Sequence, residues 1–154
     1  MIMTGDFGEA NKAGWQGAAF GAPIGGISGS VSAYRYAVKN DINPLNGKYN
    51  KPLYHYTTTE NTDIIMKTQL GRTDDSWSYL TPDGNKTPIQ AQIDLSLPQS
   101  NTAESLILLK PNSIYPRNFI LQRNVTGNVY LRGGGGYEFI YKRTIPNKYL
   151  IRIK

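Results

Sequence analysis

The segment Leu131-Arg-Gly-Gly-Gly-Gly-Tyr-Glu-Phe-Ile-Tyr141 runs four consecutive glycines straight into a strand-like alternation that carries one carboxylate. Gly133 to Gly136 have no packing value of their own. They can adopt positive φ and allow another backbone or a ligand to come close. Glu138 is one of two acids after Ser100, among nine Lys and Arg. A lone carboxylate in a basic region beside bare backbone marks a candidate site. The plainer reading is a solvated strand residue after a flexible loop. Tyr137 and Tyr141 fall on the opposite strand face from Glu138 and Ile140, so part of this strand belongs to an ordinary core.

Outward from that segment, the pattern after Asn101 is nearly all strand. Leu106 to Leu109 reads as a buried run. Val129 and Leu131, and then Tyr149, Ile151 and Ile153, alternate with polar neighbours. Upstream, Pro52 to Tyr56 is a short aromatic strand. Thr57 or Thr58 caps a helix through about Leu70, Glu60 stands where a capping box wants it, and Gly71 ends it. Trp77 to Thr81 is a second strand, closed by a turn at Pro82-Asp83-Gly84. Thr87 caps a further helix with Pro88 at its first position. Ile89, Ile93 and Leu97 fall on one apolar face, and Pro98 stops the helix. Two helices early and several strands late predict an α+β domain over residues 51–154, not a βαβ sheet.

Residues 1–50 have a different grammar. They are rich in Gly, Ala and Ser and poor in large aliphatics, and read as a leader or linker. Gly17, Gly21, Gly25 and Gly29 recur every fourth residue, a spacing that lines one helix face. From Ala13 to Tyr34 no residue is charged, but Gly and Ser dominate and Pro23 interrupts, so no stable membrane insertion is expected. A helical hairpin or a poorly ordered linker fits better. Asp6 and Glu9 stand where a secretory signal places basic residues. The turn-rich run Asn40 to Gly47 marks the boundary.

At 154 residues the chain holds one ordinary domain and a tail. No cysteine is present, which excludes disulfides and thiolate metal sites, and one histidine argues against a histidine-based metal centre. Eleven tyrosines provide amphipathic walls for flat ligands. The net charge of +6 is concentrated in residues 101–154, where nine basic residues meet two acids. That end suits a nucleic acid, a phosphorylated small molecule or an acidic protein.

Three short motifs in order carry a resemblance. Leu53-Tyr-His-Tyr-Thr57 is similar to the first strand of the His-Tyr-Glu class of ADP-ribosyltransferases, with His55 as the motif histidine. Ser78-Tyr-Leu-Thr81, followed by Thr87, resembles the second strand and its trailing hydroxyl residue. Gly133 to Phe139 resembles the third motif, whose glutamate is Glu138. The class includes diphtheria-type toxins, the poly-ADP-ribose polymerases and many toxin tips of polymorphic bacterial systems. With its Gly-rich leader the chain also resembles the variable end of an Rhs-type polymorphic toxin.

The resemblance implies a split β-sandwich with two short helices and NAD as the substrate, without a metal. It implies that Glu138 stabilises the oxocarbenium-like centre formed as the nicotinamide–ribose bond breaks. It gives Tyr79 the stacking face for nicotinamide, His55 a hydrogen bond to the adenosine ribose, and the backbone near Tyr56 the carboxamide. Arg72 and Arg132 are candidate pyrophosphate partners by charge. The family often has Gly where Tyr56 stands, and diphtheria-type members carry a second tyrosine where this chain has Ile89. Tyr137 is the expected replacement for that second wall. The implied partners are NAD, a macromolecular acceptor (or water), a larger toxin carrier and a cognate immunity protein. The implied place of action is a target-cell cytoplasm reached by delivery.

Two other readings remain open. In a metal-independent ribonuclease, His55, Glu138 and an arginine would supply acid, base and phosphate clamp, and the basic final third would hold RNA. In a non-catalytic immunity or adhesion module the tyrosines would form an interface. Asp74-Asp75 reads as a metal pair or as a polar loop, and His55 as a ligand contact or as a half-buried structural histidine.

Overall fold

The computed structural model describes residues 26–71, 77–127 and 133–154. The expected roles of Arg72, Arg132 and Asp74-Asp75, the Val129 and Leu131 alternation and the glycine spacing before Gly29 lie outside these residues. The chain divides into two compact units. One holds the residues up to Lys51 together with Pro111–Arg117; the other holds Pro52–Lys110 and Asn118–Lys154. The Pro111–Arg117 segment, expected within the second domain, therefore belongs to the first unit.

In the first unit, α1 (Gly26–Lys39) ends in a Schellman motif. Asp41 takes the left-handed conformation at φ 56°. Ile42 N–H donates to the Ala37 carbonyl at 2.8 Å and Asp41 N–H to Val38 at 3.3 Å. Ile42 thereby folds back onto Ala33 and Ala37, forming a small core with Tyr36 beside it. Tyr49 then pairs by its backbone with both Ile114 and Asn112, at 2.9 and 2.7 Å.

The second unit is a mixed α+β structure built from several antiparallel sheets. One sheet has the order β1 (Leu53–Thr57), β4 (Ser105–Leu109), β8 (Leu150–Arg152). The central strand is buried at Ser105, Leu106, Ile107 and Leu109, as its continuous apolar run requires. A second sheet has the order β3 (Ser78–Leu80), β6 (Gly134–Tyr141), β5 (Phe119–Thr126). A small pair joins β2 (Gln69–Leu70) to β7 (Ile145–Pro146). A bridge between Tyr54 and Thr81, with both backbone hydrogen bonds at 2.8 Å, links β1 to the end of β3.

Two helices pack on these sheets. In α2 (Thr59–Lys67) the N-cap is Thr58, whose Oγ1 accepts from Asn61 N–H at 3.1 Å. Glu60 does not close a capping box; Glu104 instead accepts the Thr59 N–H at 3.0 Å. The fully buried Thr62 hydroxyl donates to Ser105 Oγ, and Ser105 donates to the Lys154 carbonyl, which ties helix, central strand and chain end together. The helix stops at Lys67 and not near Leu70, because Gln69 and Leu70 are taken up in sheet pairing. Gly71, at φ +86°, follows that strand.

In α3 (Pro88–Asp94) Thr87 is the N-cap, with its Oγ1 accepting from Gln90 N–H at 3.2 Å, and Pro88 opens the helix. Of the expected apolar face only Leu97, which lies beyond the helix end, packs on the core. Ile89 is 69% exposed and Ile93 37%, whereas Ala91 is fully buried with Tyr56, Ala103 and Leu106. A helix this short makes its close contact through a small residue, which lets its backbone approach the sheet. Ile151 and Ile153 are likewise exposed, and Leu150 between Tyr149 and Ile151 is the buried residue. Among the described residues no helix is long and apolar enough to cross a membrane.

Candidate functional site

The glycine run explains how β6 is placed. Gly134 has φ +72°, and a Cβ there would come within 2.6 Å of Val125 O and Gly127 N. At Gly136 a Cβ would meet Asp94 O at 3.0 Å and Leu95 Cδ2 at 3.1 Å. The close approach at Gly134 and Gly136 is by backbone and by the end of α3. Gly136 and Glu138 share a strand face, so the end of α3 lies beside the face that carries the carboxylate.

Strand register then assembles the site. Tyr79 pairs with Ile140 across β3–β6, and Arg123 pairs with Glu138 across β5–β6. Directly paired residues point to the same face, and Ile140 and Glu138 are two apart, so Tyr79, Glu138 and Arg123 project from one face of one sheet. Glu138 is 8% exposed, and Arg123 Nε donates to its Oε1 at 2.8 Å. From β1, His55 reaches across so that the Tyr79 carbonyl accepts from its Nδ1 at 2.8 Å. A carbonyl only accepts, so Nδ1 carries the proton and the neutral ring keeps Nε2 as an acceptor. Burial lowers the His55 pKa, and the bond to Tyr79 offsets this only in part. The ring is thus held neutral at pH 7.

These residues line one cavity of about 650 Å³, within the range of small-molecule sites. His55, Tyr79, Glu138 and Arg123 all contribute to its wall, and Tyr56 does so as well. The Tyr56 hydroxyl faces elsewhere: it donates to the Asp83 carbonyl at 3.1 Å and accepts the Lys86 N–H at 2.9 Å. Its carbonyl accepts from Asn101 Nδ2 at 3.1 Å. Burial and the Asp83 charge raise the Tyr56 pKa against the opposing pull of Lys86. Lys86 in turn bridges Asp94 at 2.7 Å and Asp83 at 3.1 Å. Burial pulls the Lys86 pKa down, but the two carboxylates outweigh it and the net direction is up. This network pins the turn before α3 to β1 and so holds one side of the cavity. Gly84 is required there because a Cβ would collide with the Tyr54 ring.

Two expected contributors stand apart from the cavity. Thr87 caps α3 and is not in the wall. Tyr137 is on the opposite strand face from Glu138 and packs edge-on against Phe139, with ring centroids 5.4 Å apart, so it is not the second stacking wall. The sequence reading missed Arg123, Ser96 and Asn101. A charge complement to Glu138 was the available signal for Arg123, but it pointed equally to every arginine in the basic third. Among the described residues no cluster of three or more His, Cys, Asp or Glu is placed to hold a metal. Comparison of the chain with protein-family models, with curated proteins and with solved structures finds no match.

Proposed function

We propose that the second unit is an ADP-ribosyltransferase-like domain of split β-sandwich type that cleaves NAD and passes ADP-ribose to a macromolecule or to water. The observation that supports this most is the meeting of His55, Tyr79 and Glu138 at one cavity, from three strands in two sheets. In this reading the bond between ribose C1′ and the nicotinamide nitrogen breaks, and its electron pair leaves with nicotinamide. The Glu138 carboxylate faces the positive charge left on C1′. The acceptor's oxygen or nitrogen then bonds to C1′ and its proton passes to solvent. Tyr79 offers a ring face to nicotinamide, and His55 Nε2 accepts from a ribose hydroxyl. Arg123 takes the diphosphate role sought in Arg72 and Arg132; its guanidinium would be shared between substrate and Glu138.

In the same proposal the chain is the toxic end of an Rhs-type polymorphic protein. A larger carrier delivers it to a target cytoplasm, and a cognate immunity protein blocks the cavity in the producing cell. The deciding experiment incubates the protein with NAD and, separately, with total RNA. Free nicotinamide is the expected product. Fragmented RNA with intact NAD would establish the ribonuclease instead, and no change in either would leave a binding module.

A further inference from the structure

Asn61 stands at the third position of α2, in the turn that Thr58 caps. A glutamate or glutamine there would close a capping box on the Thr58 N–H, and asparagine is among the weaker helix formers. The Asn61 side chain reaches back to β1 instead, where Nδ2 donates to Thr57 Oγ1 at 3.2 Å. Thr57 is buried and makes a fixed anchor, whereas Asn61 is exposed. Both line the cavity. Thr57 and His55 are two apart on β1 and share a strand face, so the anchor lies about 6.6 Å along the strand from His55.

A carboxamide carries one acceptor and two N–H donors. One N–H of Asn61 is given to Thr57; the other, and Oδ1, make no hydrogen bond within the described residues. One donor beside one acceptor complements the edge of adenine, where the N6 amino group donates and N7 accepts. A ring with O6 in place of that amino group sets an acceptor against Oδ1. Tyr79 and Glu138 belong to the β3–β6–β5 sheet, whereas Asn61 is held on β1 of the other sheet, beyond His55. With nicotinamide on Tyr79 and the adenosine ribose on His55, the next group along β1 is the second base of the dinucleotide. We infer that Asn61 selects adenine: Oδ1 accepts from N6 and Nδ2 donates to N7, while Thr57 holds the amide in place. The inference rests on the NAD reading and names the residue that sets its base specificity.

The test follows nicotinamide release from NAD and from nicotinamide hypoxanthine dinucleotide, which carries O6 where adenine carries its amino group. The full-length protein is compared with Asn61→Ala and Asn61→Asp, each shown to be folded by thermal melting. The parent should favour NAD by about five- to tenfold in kcat/KM, the scale of one hydrogen bond. Asn61→Ala should bring the two dinucleotides to the same value by weakening NAD, with the loss in KM and not in kcat. Asn61→Asp retains an acceptor for N6 and should keep the preference. Equal use of both dinucleotides by the parent overturns the assignment, as does a preference lost in Asn61→Asp or a loss in Asn61→Ala that falls on kcat alone. A parent that releases nicotinamide from neither dinucleotide sinks the functional reading and this contact with it. Cleavage of NAD by the parent with a preference that survives in Asn61→Ala sinks the contact alone.

Discussion

Arg123 and Glu138 stand directly opposite each other on neighbouring antiparallel strands, with Nε 2.8 Å from Oε1, the arginine half-exposed and the carboxylate nearly buried. The asymmetry matters. The carboxylate is removed from water and depends on its partner, while the guanidinium keeps access to solvent and to the cavity. A diphosphate entering the cavity would meet the guanidinium beside the Glu138 carboxylate.

Glu138→Gln keeps the shape and removes the charge. Nicotinamide release should fall by about two to three orders of magnitude, the scale of losing one electrostatic stabiliser. The protein should stay folded, since an amide still accepts from Arg123. Near-normal turnover in a folded variant would end the assignment of Glu138.

Arg123→Ala should cost about 1–3 kcal/mol of stability, because it strands a buried acceptor. It should also weaken NAD binding. The double variant Arg123→Ala with Glu138→Gln should be more stable than Arg123→Ala alone, because no unpaired charge is left behind. Urea denaturation of the four proteins in this cycle measures the coupling. Additive effects would show that the pair is incidental.

His55 predicts a pH window. Its folded pKa lies below that of the unfolded chain, near 6.5. Between the two values the unfolded chain binds the extra proton, so stability falls as pH drops. The contribution is complete above about pH 6.5, shrinks below it and levels off under the folded pKa. Asp83 acts in a separate window. The backbone bond from Asn85 and the side-chain bond from Lys86 depress its pKa, so its contribution is lost only below about 3.8. Melting from pH 8 to pH 5 should therefore be steeper in the parent than in His55→Gln. Parallel curves would contradict the half-buried neutral imidazole.

Two adjacent glycines should behave differently. Gly134→Ala meets both positive φ and a collision with the backbone of Val125 and Gly127. Gly135→Ala meets only the strain at φ +99°, since nothing lies within 4 Å of its added Cβ. The first should lower the melting temperature several-fold more and impair NAD cleavage by moving β5 against β6. Equal effects would mean that the β5–β6 approach is not held by Gly134.

A chain starting at Asn46 loses α1, Ile42 and the Asn43 side chain that donates to Asn112 at 2.9 Å. It keeps both backbone bonds of Tyr49 to Asn112 and Ile114. Such a chain should fold and still release nicotinamide. An insoluble or unfolded product, seen by circular dichroism, would make the first unit a requirement for the second.

Local chemistry was readable along the chain because it acts over a few residues. Thr58 and Thr87 cap helices through the amide three positions on, Pro88 suits a first helical turn, and the Leu106–Leu109 run has no polar face to show to water. The α+β class followed from those elements, and His55, Tyr79 and Glu138 stood out by residue type. Their meeting did not follow. The partnership of Arg123 with Glu138 depends on the β5–β6 register, which shifts twice, between Phe119 and Leu121 and between Asn124 and Thr126. A slip of one residue would turn Arg123 to the other face, and no local signal sets that count. Ile89 and Ile93 misled for a related reason: periodicity marks an apolar stripe, but the contact of α3 with its neighbours came through Ala91.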